Sequence, residues 1–408
     1  MNNLFRTFQL GEVAEIIAGG DKPKVFSLKK KASIRVPVLA NAEKNNGLLG
    51  YTDNARIFEP AVTIAARGSN VGFVAVRKEP FFPVVRLLSL IPKKEHLDVD
   101  YLYYDLKQNR KKGTGSGQPQ ITIPDITSKT ISLPPISVQK KVAEVLSVLD
   151  KKIELNNRIN AELEAMAKTL YDYWFVQFDF PDANEKPYKS SGGKMVYNPT
   201  LKREIPAGWV VKPLSKLLNC NRAKLGKKNQ LKVINYLDTA NLTSNRINLI
   251  QRLVVGVDSI PSRANMIVSK NDILYSTVRP NLLHYGIIKD PLENLVASTG
   301  FAVLSHKQNS YFNIFYYMHI TSPQNTNKLI RISDSSKSSY PSISPDDILS
   351  LTISLPSNAD LINKFCMLVN PIFEKVSENQ KEIKELEKLR DWLLPMLMNG
   401  QVTVEDMS

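Results

Sequence analysis

ISVQKKVAEVLSVLDKKIELNNRINAELEAMAKTLYDYWFVQF, residues 136–178, contains no proline or glycine; Pro134 and Pro135 precede it and Pro181 follows it. Apolar or small side chains recur at Val142, Leu146, Leu149, Ile153, Leu163, Ala167, Leu170 and Trp174. Steps that alternate between four and three residues keep a narrow stripe on one side of an α-helix, the pattern of a helix laid along another helix. Asn156 and Asn160 fall within the stripe, where polar residues fix register at some cost in stability. Such a helix requires a partner.

The partner is predicted in the same chain. The run Thr130-Ile131-Ser132-Leu133-Pro134 before the first helix returns as Thr352-Ile353-Ser354-Leu355-Pro356. A second helical pattern follows, with apolar positions Leu361, Phe365, Leu368, Ile372, Val376, Ile383, Leu386, Leu393 and Leu397 and a polar break at Asn379. Pro371 and Pro395 are expected to kink or fray it. Two matched helices, each after a globular segment, indicate duplication. The expected boundaries are 1–135, 136–178, 179–355 and 356–408, alternating globular domains and helices, with a connector opening the third segment.

The distribution of charge narrows the function. The chain carries +15 overall, and residues 1–135 have 20 Lys+Arg against 12 Asp+Glu. Residues 179–355 have 22 against 12, whereas the first helix is balanced and the tail from residue 356 is net acidic. Positive charge confined to two globular segments suggests two surfaces for a polyanion, most simply nucleic acid. A generally basic, solvated surface is the alternative. Cys220 and Cys366 are the only cysteines, which leaves no disulfide framework or thiolate zinc site. No apolar run reaches the ~18–20 residues of a membrane span, and the start lacks a signal-peptide pattern. The expected location is the cytoplasm.

Within the first segment, Val36–Leu39, Ala61–Ala66 and Val71–Val76 read as strands and Val99–Lys107 as a tyrosine-bearing helix. The second segment repeats the plan: Ile267–Thr277 answers Ala61–Ala66, and Arg279-Pro280-Asn281 falls where Arg67-Gly68-Ser69-Asn70 stood. Tyr316-Tyr317 answers Tyr103-Tyr104 at an offset of 213, and Pro341-Ser342-Ile343 answers Pro119-Gln120-Ile121 at 222, so the second copy has gained residues between them. The tyrosines fit a core better than a base-stacking surface at this helical spacing. Residues 179–203, with Ser190-Ser191-Gly192-Gly193, have linker chemistry.

Catalytic signatures fail on context. Gly113-Thr-Gly-Ser-Gly follows a helix and precedes an extended segment, whereas a phosphate-cradling loop runs from a strand into a helix N-terminus. Asn198-Pro199 continues Thr200-Leu201 instead of the proline and aromatic of an amino-methyltransferase site. Asp182, Glu185 and Lys186 have the wrong spacing for a nuclease core, and His96, His284, His306 and His319 show no metal-ligand spacing.

Several runs carry a family resemblance: Ile131-Ser-Leu-Pro-Pro-Ile-Ser-Val-Gln-Lys-Lys-Val-Ala, Leu170-Tyr-Asp-Tyr-Trp-Phe175, Ile205-Pro-Ala-Gly-Trp209, Ser298-Thr-Gly-Phe301 and Leu389-Arg-Asp-Trp-Leu-Leu394 with Asn399-Gly400. In this order, within a duplicated frame, they resemble the specificity subunit of a type I restriction-modification system over essentially the whole chain. The resemblance implies an α+β protein: two repeated mixed α/β target-recognition domains, separated by two long helices packed as an antiparallel coiled coil. It implies a sequence-specific subunit without catalytic residues that reads a split double-stranded DNA target. Its partners would be two methyltransferase subunits and two restriction/translocase subunits, which would hold S-adenosylmethionine, ATP and magnesium. One departure stands out: after Leu355-Pro356 the chain continues Ser-Asn-Ala-Asp-Leu-Ile, without the second proline and Gln-Lys-Lys.

The candidate DNA-binding residues are Arg67, Ser69 and Asn70 in the first domain and Arg279 and Asn281 in the second. Arginine and asparagine pair bidentately with guanine and adenine edges, though arginine can equally hold a phosphate and asparagine can cap a turn. The loops before the helices add Lys111, Lys112, Ser116 and Gln118, and Ser336, Lys337, Ser338 and Tyr340. A solvated connector is the competing reading there. Rival functions are a self-sufficient DNA methyltransferase or nuclease, and a coiled-coil protein that bridges nucleic acids.

Overall fold

The repeated Thr-Ile-Ser-Leu words alternate polar and apolar residues, the period of a half-buried strand, and each closes a domain. In the computed structural model, which describes residues 5–109, 120–226, 231–335 and 341–402, Thr130–Leu133 pairs antiparallel with Arg6–Gln9. Thr352–Leu355 pairs in the same way with Val210–Pro213. Ile131, Leu133, Ile353 and Leu355 are buried. The chain forms two units, residues 1–154 with 384–408 and residues 155–383, so both long helices are divided between them.

In the first unit a four-stranded antiparallel sheet has the order Ala14–Ala18, Leu87–Pro92, Ala61–Ala65, Val74–Arg77. Val36–Leu39 runs antiparallel to Leu48–Thr52 and parallel to Phe82–Pro83 in a second sheet. The tyrosine helix, Val99–Gln108, is capped by the Asp98 carboxylate. Tyr101, Leu102, Tyr104 and Leu106 pack with Val142, Ala143 and Leu146 of the first long helix, and with Leu394, Leu397 and Met398 of the second.

The second unit repeats this topology. Its antiparallel sheet has the order Leu218–Cys220, Phe301–His306, Ile273–Ser276, Tyr285–Ile287. Val233–Leu237 is antiparallel to Gln251–Val254 and parallel to Leu295–Ser298, and Ala264–Ile267 adds a fourth strand. Within the stretch matched to Ala61–Ala66, Ile267–Thr277, it is Ile273–Ser276 that takes the place of Ala61–Ala65, while Ile267 ends a strand of the other sheet. The tyrosine helix is Asn313–Ile320, and Tyr316 and Tyr317 are buried as core, like Tyr104. Phe175 meets Phe315 at 4.7 Å and Phe365 at 5.2 Å between ring centroids, both edge to face. Such pairs contribute roughly 0.5–1.5 kcal/mol each beyond the area they bury.

The first long helix is Ile136–Tyr171, continued by a π-helical turn over Asp172–Val176. The second is Asp360–Met398, and in place of the expected fraying it stays helical through both Pro371 and Pro395. Pro371 removes the donor to the carbonyl of residue 367, and Met367 is 60% exposed. The apolar stripe also differs from expectation. Leu368 is exposed and Val369 is buried, because the seam runs in step from Phe365 through Val369, Ile372, Val376 and Asn379 to Ile383. In the second unit Asn379 Nδ2 donates to Asn160 Oδ1 at 2.9 Å, and Asn156 Nδ2 donates to Glu382 at 2.8 Å. In the first unit Arg390 Nη1 donates to Asp150 at 2.8 Å. Numbering falls along one helix as it rises along the other, so the pair is antiparallel in each unit.

The connector is folded rather than a linker. Met195–Asn198 and Arg203–Pro206 form a hairpin. Phe180 stacks on Tyr188 at 4.7 Å and on Trp209 at 5.3 Å, and the Arg203 guanidinium sits 4.6 Å from the Phe178 ring. The Asp179 carboxylate accepts from the Ser190 backbone N–H and hydroxyl, each at 2.7 Å. A Cβ at Gly193 would lie 2.5 Å from the Tyr188 ring, so this glycine serves close packing.

Candidate nucleic-acid interface

A strand, a one-turn helix and a returning segment build the same turn in both domains. The Ile121 N–H donates to the Ala66 carbonyl at 2.9 Å, and the Ile343 N–H donates to the Thr277 carbonyl at 2.9 Å. Next to these bonds, Arg67 bridges to Gln120 and Val278 bridges to Ser342. Single 3₁₀ turns follow, Gly68–Asn70 and Pro280–Leu282. The segment then enters a short helix whose capping box is Thr122 with Asp125, or Ser344 with Asp347. The repeated Asp-Ile pair is thus explained by folding: the carboxylate caps, and Ile126 or Ile348 is buried.

These bonds shift the match between the copies by one residue. Val278, not Arg279, occupies the place of Arg67, and Arg279 occupies that of Gly68. Both residues at the latter place have left-handed backbone, φ +77° at Gly68 and +48° at Arg279. A non-glycine residue there costs roughly 1–2 kcal/mol. Arg67 is half-buried and directed by its neighbours: its Nε donates to Gln120 Oε1 at 2.8 Å, and its backbone N–H and carbonyl both bond the Asn41 side chain. Ser69 is exposed and Asn70 half-exposed. Arg279 and Asn281 are exposed, and the Arg279 N–H donates to the Pro341 carbonyl at 2.9 Å. Lys111, Lys112, Ser116, Gln118, Ser336, Lys337, Ser338 and Tyr340 lie outside the described residues.

One element was missed in the sequence. Pro323–Asp334 forms a helix that Ser322 caps and that has no counterpart among the described residues of the first unit. It packs on the Pro280–Leu282 turn. Its exposed face lines an open trough of about 880 Å³ with Gln324, Asn327, Lys328 and Arg331, which Ser342 and Asp347 also line. The signal was present in the jump of offset from 213 to 222, and in Ser322-Pro323 as a cap and first helical residue. The helix buries only Thr326, Leu329 and Ser333, too weak a stripe to be read as periodic.

No group of three His, Cys, Asp or Glu that could hold a metal occurs among the described residues. Burial pushes the Cys220 thiol up to about 11 and that of Cys366 up to about 12, so neither is a thiolate nucleophile at neutral pH. His319 is held between the Tyr171 hydroxyl at 3.0 Å and the Thr352 carbonyl at 3.1 Å, and burial lowers its pKa to about 4. His306 stacks on Tyr316 with ring centroids 5.3 Å apart. Among the described residues no helix is long and apolar enough to cross a membrane.

Comparison with known proteins agrees with this architecture. The family described as type I restriction modification DNA specificity domain matches residues 2–165. The MjaIX specificity subunit of Methanocaldococcus jannaschii is 27% identical over 414 residues, covering 95% of this chain and 88% of that protein. The Mycoplasma pneumoniae protein described as putative type I specificity subunit S.MpnORF289P C-terminus is 32% identical over 125 residues, covering 30% of this chain and 84% of that one. The crystal structure of a type I restriction-modification S subunit from M. genitalium shares the fold, with a TM-score of 0.59 at 17% identity, over 100% of this chain and 98% of that one. Duplicated sheets, matched closing strands and paired long helices thus coincide with sequence kinship, and the chain belongs to the type I restriction-modification specificity subunits.

Proposed function

We propose that this chain is the DNA-reading subunit of a type I restriction-modification assembly and performs no catalysis itself. Each domain reads one half of a split double-stranded target. The observation that carries this reading is the shared turn, where one hydrogen-bonded frame presents different side chains: Arg67 and Gly68 in one domain, Val278 and Arg279 in the other. A common frame with exchanged contents suits two readers of different sequences. The net positive charge of both globular segments supports a polyanionic partner.

In this reading Arg67, Ser69, Asn70, Arg279 and Asn281 contact DNA, as do the loops carrying Lys111, Lys112, Ser116, Gln118, Ser336, Lys337, Ser338 and Tyr340. Two methyltransferase subunits and two restriction/translocase subunits complete the assembly. S-adenosylmethionine, ATP and magnesium belong to those partners. The purified chain alone is expected neither to methylate nor to cut DNA. Combined with methyltransferase subunits in a host lacking other adenine methylation, it should produce methylated adenines in one split motif, read by genome-wide mapping. A continuous motif, or methyl incorporation by the partner-free chain, would overturn the reading.

A further inference from the structure

The two domains share their sheets, closing strand and turn, so their targets are distinguished by the side chains that the turn presents and by what is added to that frame. The largest addition among the described residues is the helix Pro323–Asp334. It buries Thr326, Leu329 and Ser333 against its own domain. Gln324, Asn327, Lys328, Arg331 and Ser335 face outward, at successive steps of three, one, three and four residues, which places them on one side of a helix. Lys328 and Arg331 give that face two cations, with the exposed Asp334 at its C-terminal edge and Asp347 in the trough beside it. Among the described residues no ion pair or hydrogen bond engages the side chains of Gln324, Asn327, Lys328 or Arg331.

Resting on the DNA-reading function proposed above, we infer that this helix enters the major groove and is the principal base reader of the second half-site. Twelve residues span about 18 Å with a diameter near 10–12 Å, and the major groove is about 12 Å wide. Glutamine and asparagine match the N6/N7 edge of adenine, and arginine matches the O6/N7 edge of guanine. The face therefore suits purine edges, while Lys328 suits a phosphate. The helix packs on the Pro280–Leu282 turn, so Arg279 and Asn281 stand beside it, placed for the adjoining backbone.

The test is selection from a randomised duplex library by the full-length chain assembled with methyltransferase subunits. Wild type, Asn327→Ala and Arg331→Ala are compared, and Gln324→Ala serves as an independent surface variant. Each variant should lose preference by about 5- to 150-fold at one or two base pairs of a single half-site, the equivalent of about 1–3 kcal/mol. The other half-site should keep its letters. Unchanged preference in all three variants, or uniformly weaker binding with no change of letters, would overturn the inference while leaving the function intact. Failure of the wild-type assembly to select any split motif would instead overturn the function, and the inference with it.

Discussion

The two units solve one packing problem with different chemistry. Each domain rests on the start of the long helix that follows it, at Val142, Ala143 and Leu146 in the first unit and at Phe365, Cys366, Val369 and Phe373 in the second. At the tyrosine helix the solutions part. The Tyr104 hydroxyl donates to Asp150 at 2.9 Å, and the same carboxylate accepts from Lys107 and Arg390. Its counterpart Tyr317 instead meets the Phe373 ring edge to face at 5.6 Å. The helix starts differ too. Gln139, 1% exposed, donates to the His96 and Pro134 carbonyls and accepts from the Asp98 N–H. In the second unit the Ser357 hydroxyl clasps the Gly208 carbonyl, and Asn358 bonds Asp360. The missing Gln-Lys-Lys is thus a changed fastening within an unchanged frame. What is kept is topology and apolar volume; the polar fastenings are replaceable in sets.

The most severe way to break this comparison is to exchange residues 1–135 for the same segment of a relative. If the domains read independently, mapped methylation should show one half-site rewritten and the other untouched. Two altered half-sites would mean that reading is shared. A smaller asymmetry concerns acid. His319 lies in the second unit where the first has buried Leu106. Its folded pKa of about 4 lies below the ordinary 6.5, so between these values the unfolded chain binds a proton that the folded chain refuses. Stability of the second unit should therefore fall as pH drops from 6.5 to 4, by up to about 3 kcal/mol. Buried Trp174 and half-buried Trp209, both in that unit, report its urea unfolding; His319→Leu should flatten the slope, and an equal slope in that variant would refute the assignment.

Asp150→Ala should cost the first unit about 2 kcal/mol, since it strands the Tyr104 hydroxyl and leaves Arg390 with Asp391 alone. Urea unfolding checks it, and a loss below a few tenths would show that water replaces the carboxylate. The finest distinction lies in the helix seam. Asn160→Leu alone should cost about 1 kcal/mol by orphaning the buried Asn379 amide, and adding Asn379→Leu should restore that loss. A double variant no more stable than the single would mean that the amide pair contributes packing rather than satisfied hydrogen bonds.

Much of this was legible in the amino-acid order because its physics is local. The seam from Val142 to Trp174, the alternation in Thr-Ile-Ser-Leu, and the duplication follow from side-chain periods of 3.5 and 2, which any window of the chain displays. Burial of Tyr104, Tyr316 and Tyr317 followed likewise from helical spacing, whereas Tyr103 is half-buried at the edge of the core. Other features depended on partners far away in the chain. Whether Leu368 or Val369 faces inward depends on the phase of the opposing helix. The connector read as a linker because its aromatic stack joins Phe180 to Tyr188 and Trp209, across intervals without period. Arg279 was matched to Arg67 by letters, but hydrogen bonds from Ile121 and Ile343 match it to Gly68. Sequence alone determined that there are two copies on two helices; tertiary contacts decided which side chain stands at each place of the shared turn, because backbone hydrogen bonds, not residue names, set register.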